Sequence, residues 1–191
     1  MIQICAAEWV KQDAEKSFKP IQLPRRVQEW QTYYQRLSKN IDERLCTLRP
    51  IRGKSSMLIE KTTLPDVLTV TPRRFSDARG WFSESWSRQD WASGGIELEF
   101  VQDNHSFSVS AGTLRGLHYQ APPHAQAKLV RCTRGAVFDV AVDARRGSPT
   151  YGQSVGVDLT ETNGKQLLVP PGFLHGFITR APNTEVQYNV T

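Results

Sequence analysis

The chain has 191 residues, 39% hydrophobic and 23% charged, with 13 Gly, 11 Pro and five Trp, which suits one globular domain with or without an appendage and excludes wholesale disorder, collagen and coiled coil. The net charge of +5 sits in residues 1–56, where 11 Lys and Arg face 6 Asp and Glu; residues 57–191 carry 13 of each, so a nucleic-acid partner is not expected. No run approaches the ~18 apolar residues of a membrane span, and Cys5, Cys46 and Cys132 are too few and too scattered for a disulfide framework or a zinc cluster.

At the N-terminus, Met1–Lys11 holds Glu8 within its apolar run and lacks a small-residue cleavage site, so a signal peptide is not expected. A reduced, cytoplasmic setting follows as the expectation. Val27, Trp30, Tyr34, Leu37, Ile41 and Leu45 then recur every three or four residues. That spacing predicts an amphipathic helix over about 25–46, after Pro24 and before Pro50. Its polar face mixes Arg25, Arg26, Glu29, Arg36, Lys39 and Glu43, which fits packing on protein better than lying on a membrane. Arg49–Ser56 reads as a linker, with Pro50, Gly53 and two serines. Residues 1–56 thus form an N-terminal appendage, either a genuine arm or upstream sequence translated ahead of a start at Met57.

Beyond Met57 the signal is β. Strand-like runs occur at Val67–Thr71, Gln126–Cys132, Ala136–Val142 and Ser154–Leu159, and a helical turn is expected near Arg88–Ala92. Turns rich in Gly, Pro and Asn separate them at Arg134-Gly135, Arg146–Pro149, Glu161–Gly164 and Pro170–Gly172. Short strands at close spacing with little helix between them predict an all-β antiparallel sandwich or barrel.

Four histidines are available for chemistry: His105, His118, His124 and His175. Arg115 lies beside His118, Lys128 is on the next strand, Gln102-Asp103-Asn104 precedes them, and Glu185–Tyr188 comes near the end. Since residues i and i+2 of a strand share a face, a barrel can turn several of these polar groups into its interior, where a base, an acid and cations would make an active site. Each also has a plainer role: a solvated Lys128, a core Tyr188 with its hydroxyl at the rim, an Arg115–Asp139 ion pair. A metal barrel wants an H-x-H pair, but Tyr119 and Gln120 follow His118, so ligation would need His118, His124 and His175 to converge from afar. Hydrolase, P-loop and dinucleotide motifs do not occur.

Several strings in order now carry a resemblance: Phe75–Ser85, Phe100–Ser106, Leu114–Gln120, Lys128–Arg131, Phe138–Asp143, Gly147–Gly152 and Pro170–Phe177. Over residues 57–191 the chain resembles the dTDP-4-dehydrorhamnose 3,5-epimerases, cupin-type jelly rolls of nucleotide-sugar biosynthesis. The resemblance implies a cofactor-independent isomerase with no metal, acting on dTDP-4-dehydro-6-deoxy-D-glucose. By that resemblance His118 is the general base, Tyr188 returns a proton from the opposite face and Lys128 stabilises the enolate. Arg79, Glu84, Gln102, Asn104, Arg115 and His175 match positions that bind the nucleotide sugar, with Arg79 and Glu84 reaching the site of a second subunit in a homodimer. A different class, a non-catalytic nucleotide-sugar-binding cupin, and single-site epimerases of related deoxysugars are the alternatives.

The chain ends at Thr191, three residues after Tyr188. The resemblance implies a further C-terminal segment, bearing a second active-site tyrosine and the aspartate that pairs with the catalytic histidine, which has no counterpart in the sequence. Asp139 and Asp143 are the candidates to replace that carboxylate.

Overall fold

A computed structural model describes residues 57–191; the helix expected over 25–46 and the linker expected over 49–56 lie outside the described residues. Twelve strands and one short helix follow in chain order: β1 (Met57–Lys61), β2 (Leu68–Pro72), β3 (Phe75–Asp77), β4 (Gly80–Phe82), α1 (Arg88–Ser93), β5 (Gln102–Ser108), β6 (Leu114–His118), β7 (Lys128–Arg134), β8 (Ala136–Asp143), β9 (Ser154–Thr160), β10 (Gln166–Val169), β11 (Phe173–Thr179) and β12 (Thr184–Val190). All their pairings are antiparallel. One sheet has six strands in the order β1-β2-β10-β7-β12-β5, a second has four in the order β6-β11-β8-β9, and β3-β4 is a separate hairpin.

Alternation explains how the sheets meet. Along β8 every second residue, Val137, Asp139, Ala141 and Asp143, is buried, the period-2 pattern of a strand with one face on a core. Val137 and Ala141 join Leu159, Phe173 and Phe177 of the four-stranded sheet to Val130, Cys132, Leu167, Val169 and Val186 of the six-stranded sheet in one apolar cluster. The two sheets therefore pack face to face as an antiparallel sandwich, as expected from the sequence. Each fully buried Val or Leu in that layer contributes about 1.5–3 kcal/mol.

A second cluster covers the outer face of the six-stranded sheet, where Val70, Leu129 and Leu168 meet Met57, Trp91 and Ile96. Trp91 is delivered by α1, which realises the helical turn expected at Arg88–Ala92. Ser87 caps that helix by accepting from the Asp90 amide (3.4 Å), and Gly94 ends it. The four residues of β10 are all buried because this strand has apolar material on both faces.

Candidate active site

Register shows which polar side chains share the interior. Residues directly opposite one another across an antiparallel pair lie on the same face. On the four-stranded sheet, His175 of β11 is opposite Ala141 of β8 and His118 of β6, while Phe177 is opposite Asp139 and Arg115. Ala141 and Phe177 are core residues, so His118, Arg115, His175 and Asp139 are turned towards the other sheet. On that sheet, Tyr188 of β12 packs on the inter-sheet core and is opposite Val130 and Asn104; Val190 is opposite Lys128 and Gln102. Lys128, Tyr188, Asn104 and Gln102 thus look inward from β7, β12 and β5. β5 and β6 are edge strands of the two sheets and are joined by Arg115, which hydrogen-bonds to Ser108 and Phe107, so the polar set lies together at that edge of the sandwich.

Several contacts hold this group. His175 Nε2 is 2.8 Å from Asp139 Oδ1, a pair in which the ring is 7% exposed and the carboxylate 0%. Burial pushes the Asp139 carboxyl up, and the charges of His175 and Lys128 oppose that. Burial likewise pulls Lys128 below the usual lysine value, against the counter-effect of Asp139. Gln102 Nε2 donates to Asn104 Oδ1 (2.7 Å). Arg115 ties the two edges together, donating from Nε to Ser108 Oγ (3.2 Å) and from a terminal nitrogen to the Phe107 carbonyl (3.0 Å). Neither the His118 ring nor the Tyr188 hydroxyl has a hydrogen-bond partner among the described residues. That leaves both polar tips free for a ligand.

Three sequence expectations change here. The Arg115–Asp139 ion pair does not form, since Arg115 is held by β5 and Asp139 by His175. Asp139 is not available as the orienting carboxylate for His118 for the same reason. Nor is Asp143: its two oxygens accept from Arg145, Ser148 and Thr150. Arg79 and Glu84 stand apart from the group, both exposed at the β3–β4 hairpin and just after it. Arg79 is paired there with Asp77 across the turn (2.5 Å), which holds the Asp77 carboxyl below its usual range. Ser108 was not among the expected site residues, and Asp139 was expected as a partner for His118 rather than for His175. For Asp139 the available signal was its place in the alternation between Val137 and Ala141, a charged side chain on the core face of a strand.

A cavity of about 270 Å³ lies elsewhere, on the outer face of the six-stranded sheet, lined by Arg74, Trp81, Arg131, Glu161, Lys165 and Gln166 among others. None of the inward-facing acid, base and amide groups lines it, so it is not the place for proton chemistry. Among the described residues no three His, Cys, Asp or Glu side chains are grouped to hold a metal ion.

The family model described as dTDP-4-dehydrorhamnose 3,5-epimerase matches residues 61–191. The chain belongs to that family. A dTDP-4-dehydrorhamnose 3,5-epimerase of Sinorhizobium fredii is 51% identical over 135 residues, 71% of this chain and 69% of the relative. One from Escherichia coli K12 is 49% identical over 136 residues, 71% of this chain and 73% of its own. Among solved structures, the Bacillus anthracis 3,5-epimerase with TDP and PPi bound superposes with a TM-score of 0.69 at 47% identity, covering 70% of this chain and 77% of that one. The Legionella pneumophila epimerase in complex with dTDP-4-keto-L-rhamnose gives 0.68 at 44% identity, covering 71% of each chain. The residues matched by the family model include every inward-facing group described above.

Proposed function

We propose that residues 57–191 form a cupin-type jelly roll that epimerises dTDP-4-dehydro-6-deoxy-D-glucose at C3 and C5, giving dTDP-4-dehydro-L-rhamnose for cell-surface polysaccharide synthesis in the cytoplasm. The observation that carries the reading is the opposition of His118 on one sheet to Tyr188 on the other, across one shared interior. Inversion at carbon needs that arrangement, because the proton leaves one face of the sugar and returns to the other.

The chemistry follows from the residue types. The C4 ketone makes the hydrogens on C3 and C5 removable, so neither a redox cofactor nor a metal is required. His118 takes the proton on a ring nitrogen as general base and is recycled when that proton is given up. As the C4 oxygen becomes an enolate, the Lys128 ammonium stabilises it, more strongly in a partly dry interior than in water. Tyr188 donates a proton from the opposite sheet. Gln102, Asn104, Arg115 and His175 hold the nucleotide sugar, with the guanidinium suited to paired hydrogen bonds with the diphosphate. Arg79 and Glu84 act on the site of a second copy. The β3–β4 hairpin supports such a homodimer: Phe75, Trp81 and Phe82 are all exposed on it, an apolar surface of the kind that marks an interface.

The test is proton NMR in D₂O with dTDP-4-dehydro-6-deoxy-D-glucose. Loss of both the C3 and C5 signals with L-sugar formation is expected. Exchange at one carbon would replace the reading with a single-site epimerase. Binding without exchange by the folded chain would replace it with a nucleotide-sugar-binding protein.

A further inference from the structure

One acid inside the sandwich has no part in the proton transfers. Asp139 lies mid-strand in β8 with its carboxylate fully buried, Oδ1 2.8 Å from His175 Nε2. Oδ2 is buried without a hydrogen-bond partner among the described residues. Its neighbours on that face are Val137 and Ala141 in its own strand and Phe177 and Val157 across the pairs, all apolar. An ionised carboxylate in such surroundings is costly unless opposite charge meets it. The titratable groups turned to the same interior are His175 from β11, His118 and Arg115 from β6, Lys128 from β7 and Tyr188 from β12; β9 presents Val157. Arg115 is held by Ser108 and Phe107 at the edge. That leaves His175 and Lys128 as the cationic groups whose charge acts on Asp139.

Resting on the epimerase reading above, we propose that Asp139 is a positioning residue for the reaction, fixing His175 through Oδ1 and countering the Lys128 ammonium across the interior. With the carboxylate ionised, His175 Nε2 carries the hydrogen and a neutral ring has its lone pair on Nδ1. The ring therefore meets the sugar in one tautomer and one orientation. Burial lowers the Lys128 pKa and the Asp139 carboxylate opposes that, and only the ammonium can stabilise an enolate. A carboxylate shared by a binding histidine and a catalytic lysine sets both at once.

The variant that separates this role from a structural one is Asp139→Asn. It keeps the volume and an oxygen to accept from Nε2–H, and it removes the charge. The expected result is an unchanged or higher Tm together with a kcat lowered on the order of 10–100-fold, as when a metal-bound histidine loses the group that orients it. KM should stay within a few-fold, and the alkaline limb of the kcat profile should move to lower pH as Lys128 loses its counter-ion. A lower Tm with kcat and the alkaline limb in place would overturn the proposal and leave Asp139 a structural group. Absence of turnover by the wild-type chain would sink the epimerase reading instead. In that event the Lys128 titration, followed by NMR of ¹⁵N-lysine-labelled wild type and variant without substrate, still decides the charge coupling, and an unmoved titration would overturn it.

Discussion

Gly116, between Arg115 and His118 on β6, is where backbone geometry and proton transfer meet most directly. Its φ is +117°, and a Cβ built there would lie 2.7 Å from the Gly176 Cα and 2.8 Å from the His175 carbonyl, both backbone atoms of β11. Ordinary contacts begin near 3.4 Å, so Gly116→Ala must part the strands by roughly 0.7 Å. The positive φ adds strain of about 1–3 kcal/mol, a fall of roughly 3–12 °C in Tm. The opening acts on the His175–His118 pair itself. Since ångström-scale misplacement of a reacting group costs about 100-fold, kcat for C3 and C5 exchange should drop on the order of 10–100-fold, measured well below the variant's Tm. Gly112 supplies the control. It also has a positive φ, +79°, but an added Cβ there meets nothing within 4 Å. Gly112→Ala should lose about 1 kcal/mol of stability and keep its exchange rate. A folded Gly116→Ala protein with wild-type exchange, or a Gly112→Ala protein losing as much, would refute the reasoning that this close approach sets the geometry of His118.

Further outcomes follow from the same structure. His118→Ala should lower exchange at both carbons by ~10²–10⁴-fold while nucleotide-sugar binding, read by calorimetry, persists; full activity would remove His118 as the base. Tyr188→Phe should still exchange protons, because His118 can return what it took, yet form little L-sugar; chiral analysis of the trapped product checks this, and normal product would assign the acid elsewhere. Asp143→Asn should cost about 3 kcal/mol, the low end for breaking a buried ion pair, since Arg145 keeps part of its guanidinium in water. The hydrogen bonds from Arg145, and then those from Ser148 and Thr150, hold the Asp143 carboxyl far below the ordinary value near 3.8. Its contribution is therefore complete above about pH 4 and is lost as pH falls towards that depressed value. The difference in Tm between wild type and Asp143→Asn should accordingly shrink in acid. A constant difference from pH 7 to pH 2 would argue against this account.

Local sequence determined a good deal of this protein. β2, β7, β8 and β9 were legible because each alternates or is rich in β-branched residues, with one face on a core, and α1 was expected as a helical turn at Arg88–Ala92, though its caps Ser87 and Gly94 emerged only in the structure. The strings around His118, Lys128 and His175 pointed to the epimerase family before any pairing was known. β10 escaped because apolar contacts on both faces erase alternation, β5 and β6 because their inward positions are polar or exposed, which inverts the usual pattern. What only the tertiary structure decided is who meets whom. Asp139 could have served Arg115 or His118, and the choice of His175 rests on a pairing across 36 residues of sequence. The insertion of β12 between β7 and β5 likewise puts Tyr188 opposite Asn104. Periodicity records which face of a strand is buried, since that is a property of each residue and its near neighbours. It carries no record of which strand lies alongside or which sheet faces it, because those are settled by the packing of the whole core.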